Sequence, residues 1–123
     1  MKDERVYLRQ ILKSLGRIDQ EAAKGEPTFR SSETVQEAIL MNLAVIGEAV
    51  KALSESTTTS APEVPWREIA RLRDMIIHRY HHIDLNEIWD IVRLDILPLR
   101  LQVERLLNDL DASATAGSTD KPV

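Results

Sequence analysis

The sequence has no cysteine. That excludes disulfide scaffolds, thiolate metal sites and cysteine nucleophiles, and it fits a reducing cytoplasm. Aromatic residues make up only 4%. They do not gather with Val and Ile between turn signals, and no useful length alternates apolar with polar residues, so strands are not expected. No apolar run approaches the ~18 residues of a membrane span. Met1 to Arg5 lacks the apolar stretch of a signal peptide. Positive charge is not in excess either: 16 Lys plus Arg face 20 Asp plus Glu, a net of −4. A wholly basic nucleic-acid binder is excluded, whereas a local basic patch is not. What remains is 43% apolar and 29% charged in 123 residues, one globular domain long enough to bury a core without disulfides or metals.

The apolar residues recur at helical spacing. Leu8, Ile11, Leu15, Ile18 and Ala22 predict a helix from about Asp3 to Lys24, ended by Gly25, Glu26 and Pro27 with the glycine as C-cap. Val35, Ile39, Leu43, Ile46, Val50 and Leu53 predict a second from about Ser32 to Ser54, with Ser31 or Ser32 as N-cap. Gly47 inside it costs about 1 kcal/mol against Ala, which points to close helix packing or to a tolerated glycine. Residues Glu55 to Pro65 read as a loop. A third helix runs from Trp66 to Tyr80 or His82. Asp84 and Glu87 look like a capping box for a long last helix, whose stripe continues from Leu85 to Leu110. Pro98 inside it is expected to kink or split it. The expected architecture is an all-α antiparallel bundle of four or five helices over residues 1–110, with a disordered tail over 111–123.

The unusual chemistry is concentrated in the third helix. All three histidines, His78, His81 and His82, fall within five residues. Trp66 to His82 also holds four arginines against Glu68 and Asp74, a local +2 that leaves −6 on the rest of the chain. A positive island on an acidic protein suits an anion; an uneven charge face on an ordinary helix gives the same pattern. Arg73 and Tyr80, seven apart, share a helix face. His78 is five from Arg73 and points roughly 140° away at 3.6 residues per turn. One intact helix cannot aim both at one small ligand. Either the helix ends before His78, or a second copy of the chain contributes. His-x-x-His-His with Asp84 also permits a metal reading, though no second cluster supplies further ligands and no metal is expected. For His81 and His82, exposed positions at a helix end are the simpler reading.

Arg73-x4-His78-x-Tyr80 resembles the Arg-x4-His-x-Tyr signature of HepT-like toxins in the HEPN superfamily. Ile46-Gly47-Glu48-Ala49, Pro65 to Ile69, His78 to Asp84, Ile88 to Val92 and Pro98 extend the similarity over roughly residues 4–110. The resemblance implies a helical homodimer with the Arg and His motifs of two subunits in one cleft. It implies a metal-independent ribonuclease, either an endonuclease or a 3′-end trimmer, acting on tRNA or mRNA in the cytoplasm. It also implies a type VII toxin–antitoxin pair. The partner there is a minimal nucleotidyltransferase of the MntA type, which transfers AMP from ATP to the motif tyrosine, here Tyr80. No cofactor and no membrane association are implied.

Metal-free RNA cleavage needs a base for the 2′-hydroxyl, an acid for the leaving 5′-oxygen and a cation for the charged transition state. Two copies of His78 can divide the proton steps, because a histidine pKa of about 6.5 lies near working pH. Arg73 suits the charge role, staying protonated and gripping phosphate with two N–H groups. Asp74 and Glu48 are supporting candidates that can orient or pair with Arg73. Arg79, His81 and His82 are candidates for holding the RNA backbone. For Arg73 the competing reading is an ion pair with Asp74 or Glu48, and for His78 a structural histidine. A non-catalytic helical module binding a protein or nucleotide is the alternative function; the low net basicity leans toward it.

Overall fold

The computed structural model describes residues 3–119, with side chains through residue 114. Every regular element among the described residues is helical. Four longer helices carry the fold: α1 (Arg5–Ala22), α3 (Glu33–Lys51), α5 (Trp66–His78) and α7 (Ile96–Thr119). Between them lie α2 (Glu26–Ser31), α4 (Glu55–Thr59) and α6 (Leu85–Asp90). A 3-10 turn at Tyr80–His82 follows α5, and a π-helical turn at Ile91–Asp95 joins α6 to α7.

The apolar stripes form the core as their spacing predicts. Leu8, Ile11, Leu15 and Ile18 of α1 are wholly buried, and they meet Val35, Ile39, Leu43, Ile46 and Val50 of α3. Ile96, Leu99, Val103 and Leu106 of α7 complete the cluster. Burying each such side chain stabilises the fold by about 1.5–3 kcal/mol before entropy is counted. α3 packs against α1 on one side and α5 on the other, and α7 packs on α1. Only Ile76 of α5 is fully buried. An apolar groove of about 840 Å³ opens beside α5, between Leu72 and Met75 and the Leu97–Leu101 stretch of α7, with Leu43 and Ile46 as its floor.

Several local expectations are corrected. Gly25 does not cap α1; it has φ +96°, in the region that favours glycine, and stands at the N-cap of α2. α2 puts Phe29 into the core, tilted against Trp89 with ring centroids 5.0 Å apart. The loop expected over Glu55–Pro65 contains α4, started by the Ser54 hydroxyl, which accepts from the Thr57 amide. The expectation of Ser31 or Ser32 as the cap of α3 is met by Ser32, its Oγ accepting from the Val35 amide at 3.2 Å. Asp84 caps α6 through the Asn86 amide, and no return bond from Glu87 accompanies it. The last helix is interrupted by the π turn ahead of Pro98. Proline brings no amide hydrogen, and its ring would press on the carbonyl four residues back, that of Leu94. The wide turn holds that residue. The tail expected to be disordered from Asp111 continues as helix to Thr119; residues 120–123 lie outside the described residues. Alanines at 112, 114 and 116 favour helix, and Asp111 is anchored by Arg5 and Arg9 of α1 at 3.1 and 3.2 Å.

Candidate active site

The seam between α3 and α5 positions the candidate residues, and Gly47 sets how close the two helices come. A Cβ at that position would lie 2.5 Å from Arg73 Cβ and 3.0 Å from the Ile69 carbonyl oxygen. The glycine is therefore the close-packing one, and it brings the backbone of α3 against the root of Arg73.

Arg73 is held from both sides. Its Nε lies 3.1 Å from Glu48 Oε2, an ion pair across the seam. Its Nη1 donates to Asp74 Oδ1 at 3.1 Å. The same Asp74 oxygen accepts from Lys51 Nζ at 2.8 Å. The Lys51 bond, then the Arg73 bond, holds the Asp74 carboxyl below its ordinary range. The side chain of Arg73 remains about one-third exposed, and its Nη2 forms no hydrogen bond among the described residues. Both expected partners of Arg73, Asp74 and Glu48, are thus at the guanidinium. Lys51 was not among the sequence candidates. Its link to Asp74 joins residues 23 apart in the chain, and only its place one turn beyond Gly47 on the α3 face hints at it.

His78 is the last residue of α5 and is exposed. The helix does not end before it, so the side chains of Arg73 and His78 diverge by roughly 140° within one chain. A cation at this helix C-terminus suits the dipole. Arg79, His81 and His82 are all exposed just beyond.

Tyr80 departs from its expected place. It lies in the 3-10 turn rather than on the helix face of Arg73. It lines a small, open cavity of about 420 Å³ with Glu33, Glu37, Leu40, His81, Ile83 and Leu85. Partial burial, then Glu37 by charge and hydrogen bond, then Glu33 raise the phenol above its ordinary range. The ring meets His81 edge-on, centroids 5.5 Å apart. Glu37 and Glu48 are eleven residues apart on α3, about 16 Å along its axis. Tyr80 and Arg73 therefore occupy two stations on one seam. No three His, Asp or Glu side chains gather as a metal site would need among the described residues, so His78, His81, His82 and Asp84 do not form such a group.

This arrangement offers a fixed guanidinium with open donors, exposed imidazoles at the end of the same helix and an apolar groove along the Leu72 and Met75 side of that helix. A guanidinium with free N–H groups and exposed imidazoles are side chains able to bind a phosphodiester. A protein-family model described as Ribonuclease HepT-like matches residues 11–106, and the chain belongs to this ribonuclease family. A Methanocaldococcus jannaschii protein named "Putative RNase MJ0127" is 37% identical over 111 residues, covering 89% of this chain and 92% of the relative. "Probable ribonuclease HepT" of Thermococcus cleftensis is 38% identical over 78 residues, covering 63% of this chain and 71% of that one. A further M. jannaschii protein, "Gamma-glutamylcyclotransferase and putative RNase MJ0434", is 33% identical over 111 residues. This chain spans 50% of its length, against 89% of its own. No solved structure matches the chain significantly. No helix among the described residues is long and apolar enough to cross a membrane.

Proposed function

We propose that this ribonuclease is the toxin of a toxin–antitoxin pair and works as a homodimer in the cytoplasm. Arg73 and His78 of both copies form one RNA-cleaving site. The observation that carries this reading is the divergence of Arg73 and His78 on one continuous helix. A single phosphate group can meet both residue types only if a second α5 faces the first. The half-exposed Ile77 beside His78, and exposed Leu97 and Leu101 at the groove, supply apolar surface for such a contact.

In the dimer, one His78 takes the proton of the RNA 2′-hydroxyl as its oxygen attacks phosphorus. The other gives a proton to the departing 5′-oxygen. Arg73 stabilises the extra negative charge through Nη2 and the remaining Nη1 hydrogen. The products are a 2′,3′-cyclic phosphate and a 5′-hydroxyl, and DNA is inert because it lacks the attacking group. Arg79, His81 and His82 hold the flanking backbone by charge. Tyr80 is the site of control: its phenol gives up its proton to a base of the partner nucleotidyltransferase as the oxygen attacks the α-phosphorus of ATP held there, pyrophosphate leaves, and AMP remains on the seam that also holds Arg73. The added bulk and negative charge oppose RNA entry.

The test is incubation of the chain with tRNA and with a messenger RNA in EDTA, beside Arg73→Ala and His78→Ala. Cleavage by the parent alone, leaving cyclic-phosphate ends, is expected. Cleavage lost in EDTA, or cleavage at the parental rate by either variant, would overturn the mechanism. Mass spectrometry after incubation with an active partner and ATP is expected to place an AMP-sized addition on Tyr80.

A further inference from the structure

Adjacent helix residues point about 100° apart, so residues i and i+1 do not face each other. Arg73 and Asp74 are nonetheless hydrogen-bonded at 3.1 Å. The contact is favoured where a further cation draws the Asp74 carboxylate toward Arg73. Lys51 does so from the opposite helix, bonding the same Oδ1 at 2.8 Å. Glu48, one turn earlier on α3, takes the other side of the guanidinium. Charge leads to the same residue. Arg73 with Glu48 and Asp74 alone would be a net −1 cluster, which repels phosphate. Lys51 brings the four groups to zero.

We infer that Lys51 is a positioning residue for Arg73, acting through Asp74, and that it makes an otherwise acidic seam acceptable to an RNA phosphate. This rests on the reading of Arg73 as the transition-state cation. Lys51 does not touch the reacting atoms. It holds Asp74 so that Asp74 and Glu48 fix the plane of the guanidinium and leave Nη2 pointed outward.

The experiment compares RNA cleavage by the full chain with that of Lys51→Met, Lys51→Arg, Asp74→Asn and the double variant Lys51→Met/Asp74→Asn. Lys51→Met is expected to lower kcat about tenfold or more, since small displacements of a site group cost up to roughly 10²-fold. KM rises as well, and Lys51→Arg recovers most of the activity. Both side chains are about two-fifths exposed, so melting temperatures are expected to stay close to the parent's. The double variant is expected to match Asp74→Asn alone. Further loss in the double variant would mean that Lys51 contacts RNA directly. An unchanged Lys51→Met would remove it from the site altogether. If instead Arg73→Ala keeps full activity, the reading of Arg73 fails, independently of any Lys51 result.

Discussion

Replacing Gly47 by Ala separates helix propensity from helix contact. In an isolated helix the change stabilises by about 0.8–1 kcal/mol. Here the new methyl would stand 2.5 Å from Arg73 Cβ and 3.0 Å from the Ile69 carbonyl oxygen. Carbon atoms rest at about 3.5–4.0 Å, so α5 must withdraw from α3 by roughly 1 Å. Both obstructing atoms belong to, or are rooted on, the α5 backbone, so no flexible side-chain end can move aside. Overpacking of this kind costs about 1–3 kcal/mol. The net is a loss of about 0–2 kcal/mol, a fall in melting temperature of up to roughly 10 °C for a domain this size. Activity is expected to suffer more than stability. The same displacement carries Arg73 away from Glu48 and moves Asp74 from Lys51, and misplacement of about 1 Å can cost 10²-fold in rate. Thermal unfolding by circular dichroism, run beside RNA cleavage at a temperature where the variant is fully folded, checks both. A variant that melts higher than the parent and cleaves RNA at the parental rate would refute the argument that Gly47 sets the α3–α5 distance.

Phe29→Ala is expected to cost about 3–5 kcal/mol, because the ring is fully buried and packs on Trp89; a loss below 1 kcal/mol in urea titration would mean that α2 is not part of the core. Glu4 accepts from the Ser54 amide and hydroxyl and from the Thr57 hydroxyl. Burial raises its carboxyl, but these bonds outweigh burial and leave it below its ordinary 4.5. Its stabilisation is therefore complete above about pH 4.5 and is lost as pH falls through the lower folded value. The melting-temperature gap between parent and Glu4→Gln should accordingly be constant from pH 7 to pH 5 and close at lower pH; a gap unchanged down to full protonation would contradict this. Tyr80→Phe is expected to leave RNA cleavage and melting intact while abolishing the AMP-sized mass increase. An AMP adduct persisting on the Phe variant would move the acceptor elsewhere.

Sequence alone determined the long helices, the cap at Asp84, the choice of Ser31 or Ser32 as the cap of α3, and the concentration of Arg73, Asp74, His78 and Tyr80 near one helix end. These are periodic or local properties: a stripe repeated over four or more turns, or a side chain bonding an amide two or three residues on. α2 and α4 escaped because one or two turns are too short to show a period, and Phe29 by itself carries no stripe. The helical extension past Asp111 escaped because its anchors, Arg5 and Arg9, lie more than a hundred residues away in the chain. The tertiary structure decided three further things. α5 ends at His78, so Tyr80 turns toward Glu33 and Glu37 instead of continuing the Arg73 face. Gly47 brings α3 into backbone contact with α5. That contact carries Lys51 to Asp74 and gives Arg73 its neighbours. Each depends on the approach of two helices, which a pattern along one helix does not encode: periodicity says which face is buried, and only packing says what lies opposite it.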